Sequence, residues 1–532
     1  MYRAHGSLLT ETPTRGGEIT EGIVGSPRFI NPLLAITDAD RDLTALVYSG
    51  LMKESATGTL IPELAESYEI SEDKLTYTFT IRDTAVFHDG APVTADDVVY
   101  TIQKAQDPSL RSPKRVNWEG VTVSKIDTKT VSFTLRQPYS PFIQNMTLGI
   151  LPSHIWNTAD IELFQFSQYN SEPIGSGPYK ISRIHNDESG IPSLYELKAF
   201  EKYVLGEPYI TKLIFRFYPN ESTLLDAYTR GEIERISGVQ PAQARILSGG
   251  GARVLQTPLP RVFGIFFNPT QAPLFSDDSV REAIDLALDR DRIVAEVLQG
   301  YGTGINGPLP PDILPSTTTA STTPTSENII RAQELLDEND WEVNENGIRE
   351  NDGVLLTFTI STSNIPELRT AAELVREMLG ELNIEVAVQI FDPNELTQNI
   401  IRPRSYDALL FGEIIGRDRD LYAFWHSSQR HDPGYNIALY TSIPVDRALE
   451  ELRTTVDKER EQELFTTINT VIKRDRPAVF LYTPDFIYIV DHDTKGMNID
   501  NITVPSERFI NINEWYIYTE RIWPFLIKEH QL

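Results

Sequence analysis

The sequence predicts an α/β protein of more than one domain, and three observations carry that expectation. The chain has 532 residues, too many for a single compact core. Two segments, Leu75–Arg82 and Thr130–Arg136, alternate apolar and polar residues and favour β-branched and aromatic types, the pattern of half-buried strands. From Pro366, the residues Leu368, Ala371, Ala372, Val375, Met378, Leu379 and Leu382 recur at helical spacing. That helix hands over directly to a strand pattern at Ile384, Val386, Val388 and Ile390. Helices interleaved with strands in this way indicate an α/β lobe.

The other elements follow in chain order. Between the two alternating segments, Thr94-Ala95-Asp96-Asp97 opens a helix, with a hydroxyl at the cap and carboxylates where the helix dipole favours them. After Ser276, an apolar face of Val280, Ala283, Ile284, Ala287 and Leu288 continues through Ile293, Val294, Val297 and Leu298, so one helix is expected up to Gly300. Pro315–Ser326 is Thr/Ser-rich and nearly devoid of apolar side chains, which predicts a solvated surface excursion. Ala408-Leu409-Leu410-Phe411 reads as a buried strand. No internal repeat is visible.

Charge narrows the function. Asp plus Glu number 76 against 48 Lys plus Arg, a formal net charge of -28. Nucleic-acid binding needs the opposite sign, and an anionic membrane surface is also a poor match. With no cysteine there is no disulfide, thiolate metal site, iron–sulfur cluster or cysteine nucleophile. No stretch approaches the roughly 18–20 apolar residues that span a bilayer. Met1 to Gly17 lacks the apolar core of a signal peptide, which leaves two readings open, a mature or trimmed export product or a cytosolic protein.

Several motifs resolve against chemistry. Gly175-Ser176-Gly177-Pro178-Tyr179-Lys180 lacks the Walker spacing, and Pro178 removes a backbone donor, so a tight structural turn is expected. Gly300-Tyr301-Gly302-Thr303-Gly304 follows a helix and fails the dinucleotide context. His426 and His431, with Asp432, have the wrong spacing for one helical face, and no metal or cofactor is expected. There is no Gly-x-Ser-x-Gly elbow or His-Glu-x-x-His, and no carboxylate pair stands out, so no catalytic residue is assigned.

Ordered landmarks then point to a family. Leu64-Ala65-Glu66-Ser67-Tyr68, Phe87-His88-Asp89-Gly90-Ala91-Pro92-Val93-Thr94-Ala95-Asp96-Asp97-Val98, the Gly175–Tyr179 run, and Asp278-Ser279-Val280-Arg281-Glu282-Ala283-Ile284 stand in sequence, flanked by Asn31-Pro32 and Tyr406-Asp407. Together they resemble the peptide- and nickel-type (family 5) extracellular solute-binding proteins of ABC transporters. The resemblance implies a two-lobed periplasmic-binding-protein fold of the large three-domain type, with a hinge and an interlobe cleft. Lobe I would comprise residues 1–49, 175–262 and 483–532, with 50–174 an appended subdomain and 263–482 forming lobe II. Hinge crossings are expected near Phe263–Asn268 and Ala478–Tyr482.

Function follows from that resemblance as an expectation: a monomeric, non-catalytic receptor that captures a small, peptide-like solute and delivers it to ABC permease subunits. Such a role implies a position in the periplasm or on the outer face of the cytoplasmic membrane. An upstream signal peptide or lipid anchor is expected, with Met1 to Thr14 as a flexible tether. Phe29, Asn31, Ser237, Phe266 and Tyr482 correspond to segments that line the family's cleft. Peptide receptors of the family carry Gly-Trp-x-x-Asp, whereas this chain reads Gly412-Glu413-Ile414-Ile415-Gly416, with Asp418 beyond. Glu413 or Asp418 is therefore the candidate anchor for a ligand ammonium, with Arg417 and Arg419 as internal competitors, and Trp425 is a candidate lining residue or a core aromatic. Two rivals have their own discriminators. A peptidase or glycosidase would turn over peptides or glycans, and a sensor without transport would lack neighbouring permease and ATPase genes.

Overall fold

Alternation in Leu75–Arg82 produces the strand Thr76–Ile81, whose Tyr77, Phe79 and Ile81 are buried while the threonines between them are half-buried. This computed structural model describes residues 10–157, 161–311, 313–314 and 326–523. The chain divides into two compact units. One is Met1–Gln240, Ile246–Thr257 and Ile487–Leu532, and the other is Pro241–Arg245 and Pro258–Phe486.

In the first unit, Glu18–Val24 lies inside a sheet, parallel to Lys212–Tyr218 on one side and to Arg235–Ser237 on the other. Pro192–Ala199 and Tyr179–Asn186 extend it antiparallel. A separate four-stranded antiparallel sheet runs Ala65–Ile70, Thr76–Ile81, Thr130–Thr134, Thr122–Lys125. Phe79, Phe133, Phe142 and Trp118 pack their rings into its core at centroid distances of 5.8 to 6.1 Å. The helix Ala95–Gln106 begins as predicted. The Thr94 N–H and hydroxyl each donate to Asp97 Oδ2 at 2.8 Å, and Asp97 Oδ1 accepts from the Ser153 N–H and hydroxyl at 2.7 Å.

The Gly175–Tyr179 turn owes its glycines to close approach. A Cβ on Gly175 would lie 2.0 Å from the Val47 carbonyl oxygen, and one on Gly177 would lie 2.6 Å from that of Leu46. His88 of the Phe87–Val98 run holds the turn from the other side. Its Nδ1 accepts from the Gly175 N–H at 3.3 Å, and its Nε2 lies 3.0 Å from the Gly177 oxygen. With Nδ1 accepting, the proton belongs on Nε2, which donates. Burial holds the His88 pKa down, to about 4.

Segments far apart in the chain close this unit. Thr10–Thr14 pairs antiparallel with Tyr518–Ile522, so the tether expected from Met1 to Thr14 is corrected over residues 10–14, which form a strand. Residues 1–9 lie outside the described residues. Arg508 is fully buried, and its guanidinium donates to Glu21 Oε1 at 2.7 and 3.0 Å and to Asp42 at 2.5 and 2.8 Å. The Tyr488 hydroxyl donates to Glu21 Oε2 at 2.7 Å. One cation thus serves two buried carboxylates. Burial holds the Asp42 carboxyl up at about 6 in spite of Arg508, and the Glu21 charge adds to the rise.

The second unit is built around a sheet ordered Glu385–Phe391, Thr357–Ser363, Ala408–Ile414, Arg261–Phe267, Ala478–Val490. Thr357–Ser363 and Glu385–Phe391 are parallel and joined by the helix Pro366–Gly380, the crossover that parallel pairing requires. An apolar layer covers each face. One contains Ile284, Val375, Leu379 and Leu410, and the other contains Leu409, Trp425, Leu449 and Ile468. The single helix expected after Ser276 is corrected to two, Asp278–Ala287 and Arg290–Val297. Leu288 is extended, and the Asp289 carboxylate accepts from the Arg292 N–H at 2.9 Å, capping a new start. The excursion expected at Pro315–Ser326 lies outside the described residues except for Ser326, which opens the helix Ser326–Glu338.

Candidate functional site

Strand Ala408–Ile414 sends alternate side chains to opposite faces, which puts Glu413 on the side of Leu409. Glu413 stands opposite Val262 on the neighbouring strand and is 3% exposed. Neither of its carboxylate oxygens has a hydrogen-bond partner. Burial pushes its pKa well above the usual carboxylate range. The Trp425 indole offsets a little of that rise, although its N–H misses hydrogen-bond geometry and is itself unpartnered.

Trp425 is fully buried, with ring centroids 6.2 Å from Phe266, 5.9 Å from Phe480 and 6.3 Å from Tyr440. Phe266 is equally buried in that layer. Tyr482 belongs to the opposite layer and stacks on Phe263 at 5.0 Å, and burial raises its hydroxyl. Glu413, Trp425 and Phe266 therefore share one face of the sheet, with Trp425 near each of the other two, and Tyr482 is on the other side.

Asp418 lies beyond the strand end and is exposed as a whole, and its carboxyl is raised chiefly because neighbouring atoms strip part of its water. It accepts weakly from the Asp420 N–H at 3.4 Å. Asp420 is held by Arg453 at 3.1 Å, and that guanidinium also covers the Tyr422 ring at 4.5 Å. An internal counter-ion for the loop thus comes from Arg453, outside the Arg417-Asp418-Arg419-Asp420 run.

In the first unit, Phe29 is half-buried, with its N–H donating to Asp40 Oδ1 at 2.8 Å and the Arg28 guanidinium 5.1 Å from its ring. Asn31 is fully buried. Its Nδ2 donates to Asn170 Oδ1 at 3.0 Å, and its Oδ1 accepts from the Leu33 N–H at 2.9 Å. Ser237 ends the strand Arg235–Ser237, paired with Tyr488 and partly exposed.

One group was missed in the sequence. Burial holds the Asp485 carboxyl up at about 6, and its Oδ1 is buried without a hydrogen-bond partner. A lone acid within the apolar run Ala478–Val490 was the available signal. Among the described residues, no three His, Cys, Asp or Glu side chains are grouped to hold a metal ion, and no helix is long and apolar enough to cross a membrane.

Solved structures share the fold over nearly the whole chain. The oligopeptide-binding protein AppA from Bacillus subtilis, in complex with a nonapeptide, matches with a TM-score of 0.72 at 26% identity, covering 95% of this chain and 100% of that one. The ABC transporter substrate-binding protein CtaP from Listeria monocytogenes matches with a TM-score of 0.79 at 27% identity over 95% of this chain and 100% of that one. Residues 59–433 match the family described as bacterial extracellular solute-binding proteins, family 5. The chain belongs to that family, whose members are non-catalytic binding receptors of ABC transporters. Among curated relatives, the oligopeptide-binding protein AppA of Bacillus subtilis (strain 168) is 27% identical over 512 residues, covering 95% of this chain and 92% of that protein. The dipeptide-binding protein of Escherichia coli (strain K12) is 24% identical, covering 90% and 91%.

Proposed function

We propose that this receptor captures a peptide-like small solute outside the cytoplasmic membrane and delivers it, as a monomer, to the permease subunits of an ABC importer. The observation that carries the reading is the similarity to an oligopeptide-binding protein over 95% of this chain and 92% of that one. Relatives named for dipeptides, for glutathione and for oligopeptides fit the same ligand chemistry. Neighbours in complex with a nickel–histidine species and with agropinic acid share the fold and define the alternatives to test.

Phe29, Ser237 and Asp418 have surface to offer such a solute, whereas Asn31, Phe266, Glu413, Trp425 and Tyr482 act on it through their packing. Native mass spectrometry of the purified chain should reveal a retained ligand of peptide mass. Titration with di- to nonapeptides, glutathione, nickel with histidine, and an opine then separates the classes. Binding of a non-peptide with no response to any peptide would overturn the reading.

A further inference from the structure

We propose that Glu413 is a proton-dependent latch in the second unit: it is carried in the core as a neutral carboxylic acid, and its ionisation as pH rises opens the segment from Gly412 to Trp425. Position makes the case. Glu413 is the last inward residue of its strand, and Ile414 is already 54% exposed. Val262 across the strand pair and Trp425 beside it are fully buried, as are Ile415 and Leu421 of the same apolar layer. Both carboxylate oxygens and the Trp425 N–H lack hydrogen-bond partners. A neutral acid is tolerable there, but a carboxylate without a cation or donors is not.

Charged groups on every adjoining element leave that conclusion intact. Arg261 on the neighbouring strand pairs across to Ile414, so its side chain falls on the opposite face of the sheet from Glu413. In the following loop, Arg453 engages Asp420, Asp418 and Arg419 are exposed, and neither Arg419 nor the half-buried Arg417 is among the influences on the Glu413 carboxyl. His426, next to Trp425, directs Nε2 toward Glu450 at 3.5 Å and Asp446 at 3.9 Å and Nδ1 toward Ser428. Burial and the Trp425 indole are the influences that act on the Glu413 carboxyl. Ionisation therefore finds no relief in place, and the short route to water is outward, past Ile414 and into the Gly416–Asp420 loop. The inference does not depend on which solute is bound.

The test is hydrogen exchange of the full chain, read over Gly412 to Trp425 from about pH 6 to about pH 10 and corrected for the intrinsic pH dependence of exchange. Above the ordinary glutamate pKa of about 4.3, which the carboxyl regains once the segment opens, and for as long as the closed form keeps its proton, the opening constant of that segment should rise about tenfold per pH unit in the parent, because one proton leaves on opening. Glu413→Gln should be flat over the same range. Glu413→Met, which fills the space without a titratable group, should be flat as well and covers the case in which the glutamine variant fails to fold. A flat parent profile, or a parent-like slope in either variant, overturns the proposal. Infrared absorption of protonated carboxyl groups at neutral pH gives an independent reading: it should fall by one group's worth in either variant, and equal absorption in parent and variant also overturns it.

Discussion

Arg508→Met removes the cation shared by Glu21 and Asp42 while leaving most of the apolar contact with Phe509, whose ring lies 4.0 Å from the guanidinium carbon. The guanidinium makes side-chain hydrogen bonds to Glu21 at 2.7 and 3.0 Å and to Asp42 at 2.5 and 2.8 Å. Each bond to a charged group is worth about 1.5–3 kcal/mol taken singly, but the sum overstates the cluster, because dehydrating three ions offsets most of it. What remains is the cost of leaving buried carboxylates unpaired, about 3–5 kcal/mol. Urea denaturation followed by circular dichroism, with the two units resolved as separate transitions, should shift the unit that contains residue 508 and leave the other in place. At about 2–4 °C per kcal/mol for domains of 150–250 residues, the melting temperature should drop by on the order of 10 °C. The triple change Glu21→Gln, Asp42→Asn, Arg508→Met should recover much of the loss, since neutral partners carry no uncompensated charge. A single variant within about 1 kcal/mol of the parent would refute the assignment of Arg508 as the closing ion of this unit.

His88 must stay neutral to accept from the Gly175 N–H. Its folded pKa of about 4 lies below the ordinary 6.5, so its contribution is complete above pH 6.5 and is lost as pH falls from 6.5 toward 4. His88→Phe should remove that part of the acid sensitivity, which melting curves across this range will show. Gly175→Ala drives a methyl into the Val47 carbonyl 2.0 Å away, and the main chain on both sides must move, so loss of soluble protein or destabilisation beyond about 3 kcal/mol is expected. A net charge of -28 predicts self-repulsion that salt screens, so raising sodium chloride from about 0.02 to about 0.5 M should raise the melting temperature, and a flat response would count against repulsion as a stability cost.

Local pattern made the second unit readable. The helix Pro366–Gly380 and its parallel strands carry their periodicity in contiguous residues, so spacing alone located them. The break at Leu288 was not seen because the apolar phase runs on across it, yet Asp289 three residues before Arg292 was a cap signal in plain view. The clasp of Glu21, Asp42 and Arg508 was invisible for a different reason. Charged residues read as solvated, and only the fold brings these three together. Among the proposed binding residues, Glu413 and Trp425 owe their burial to the face that each takes on its strand or helix, which is set by the packing of the whole unit rather than by the local sequence. Asp485 was passed over because a single acid in an apolar strand has no pattern of its own.

The same clasp sets an order on synthesis. Glu21 and Arg508 are 487 residues apart, and Tyr488, Glu21's other partner, is also made after the second unit. Until those segments are made, the carboxylate pair of the first unit has no cation to be buried with, and its central strand, Glu18–Val24, has a neighbour, Arg235–Ser237, that still lacks its own partner. The second unit is nearly complete by Phe486 and can fold first, although it lies in the middle of the chain. Nascent chains stalled before residue 487 should therefore be protease-resistant in the middle and open at the beginning, the reverse of the usual vectorial sequence.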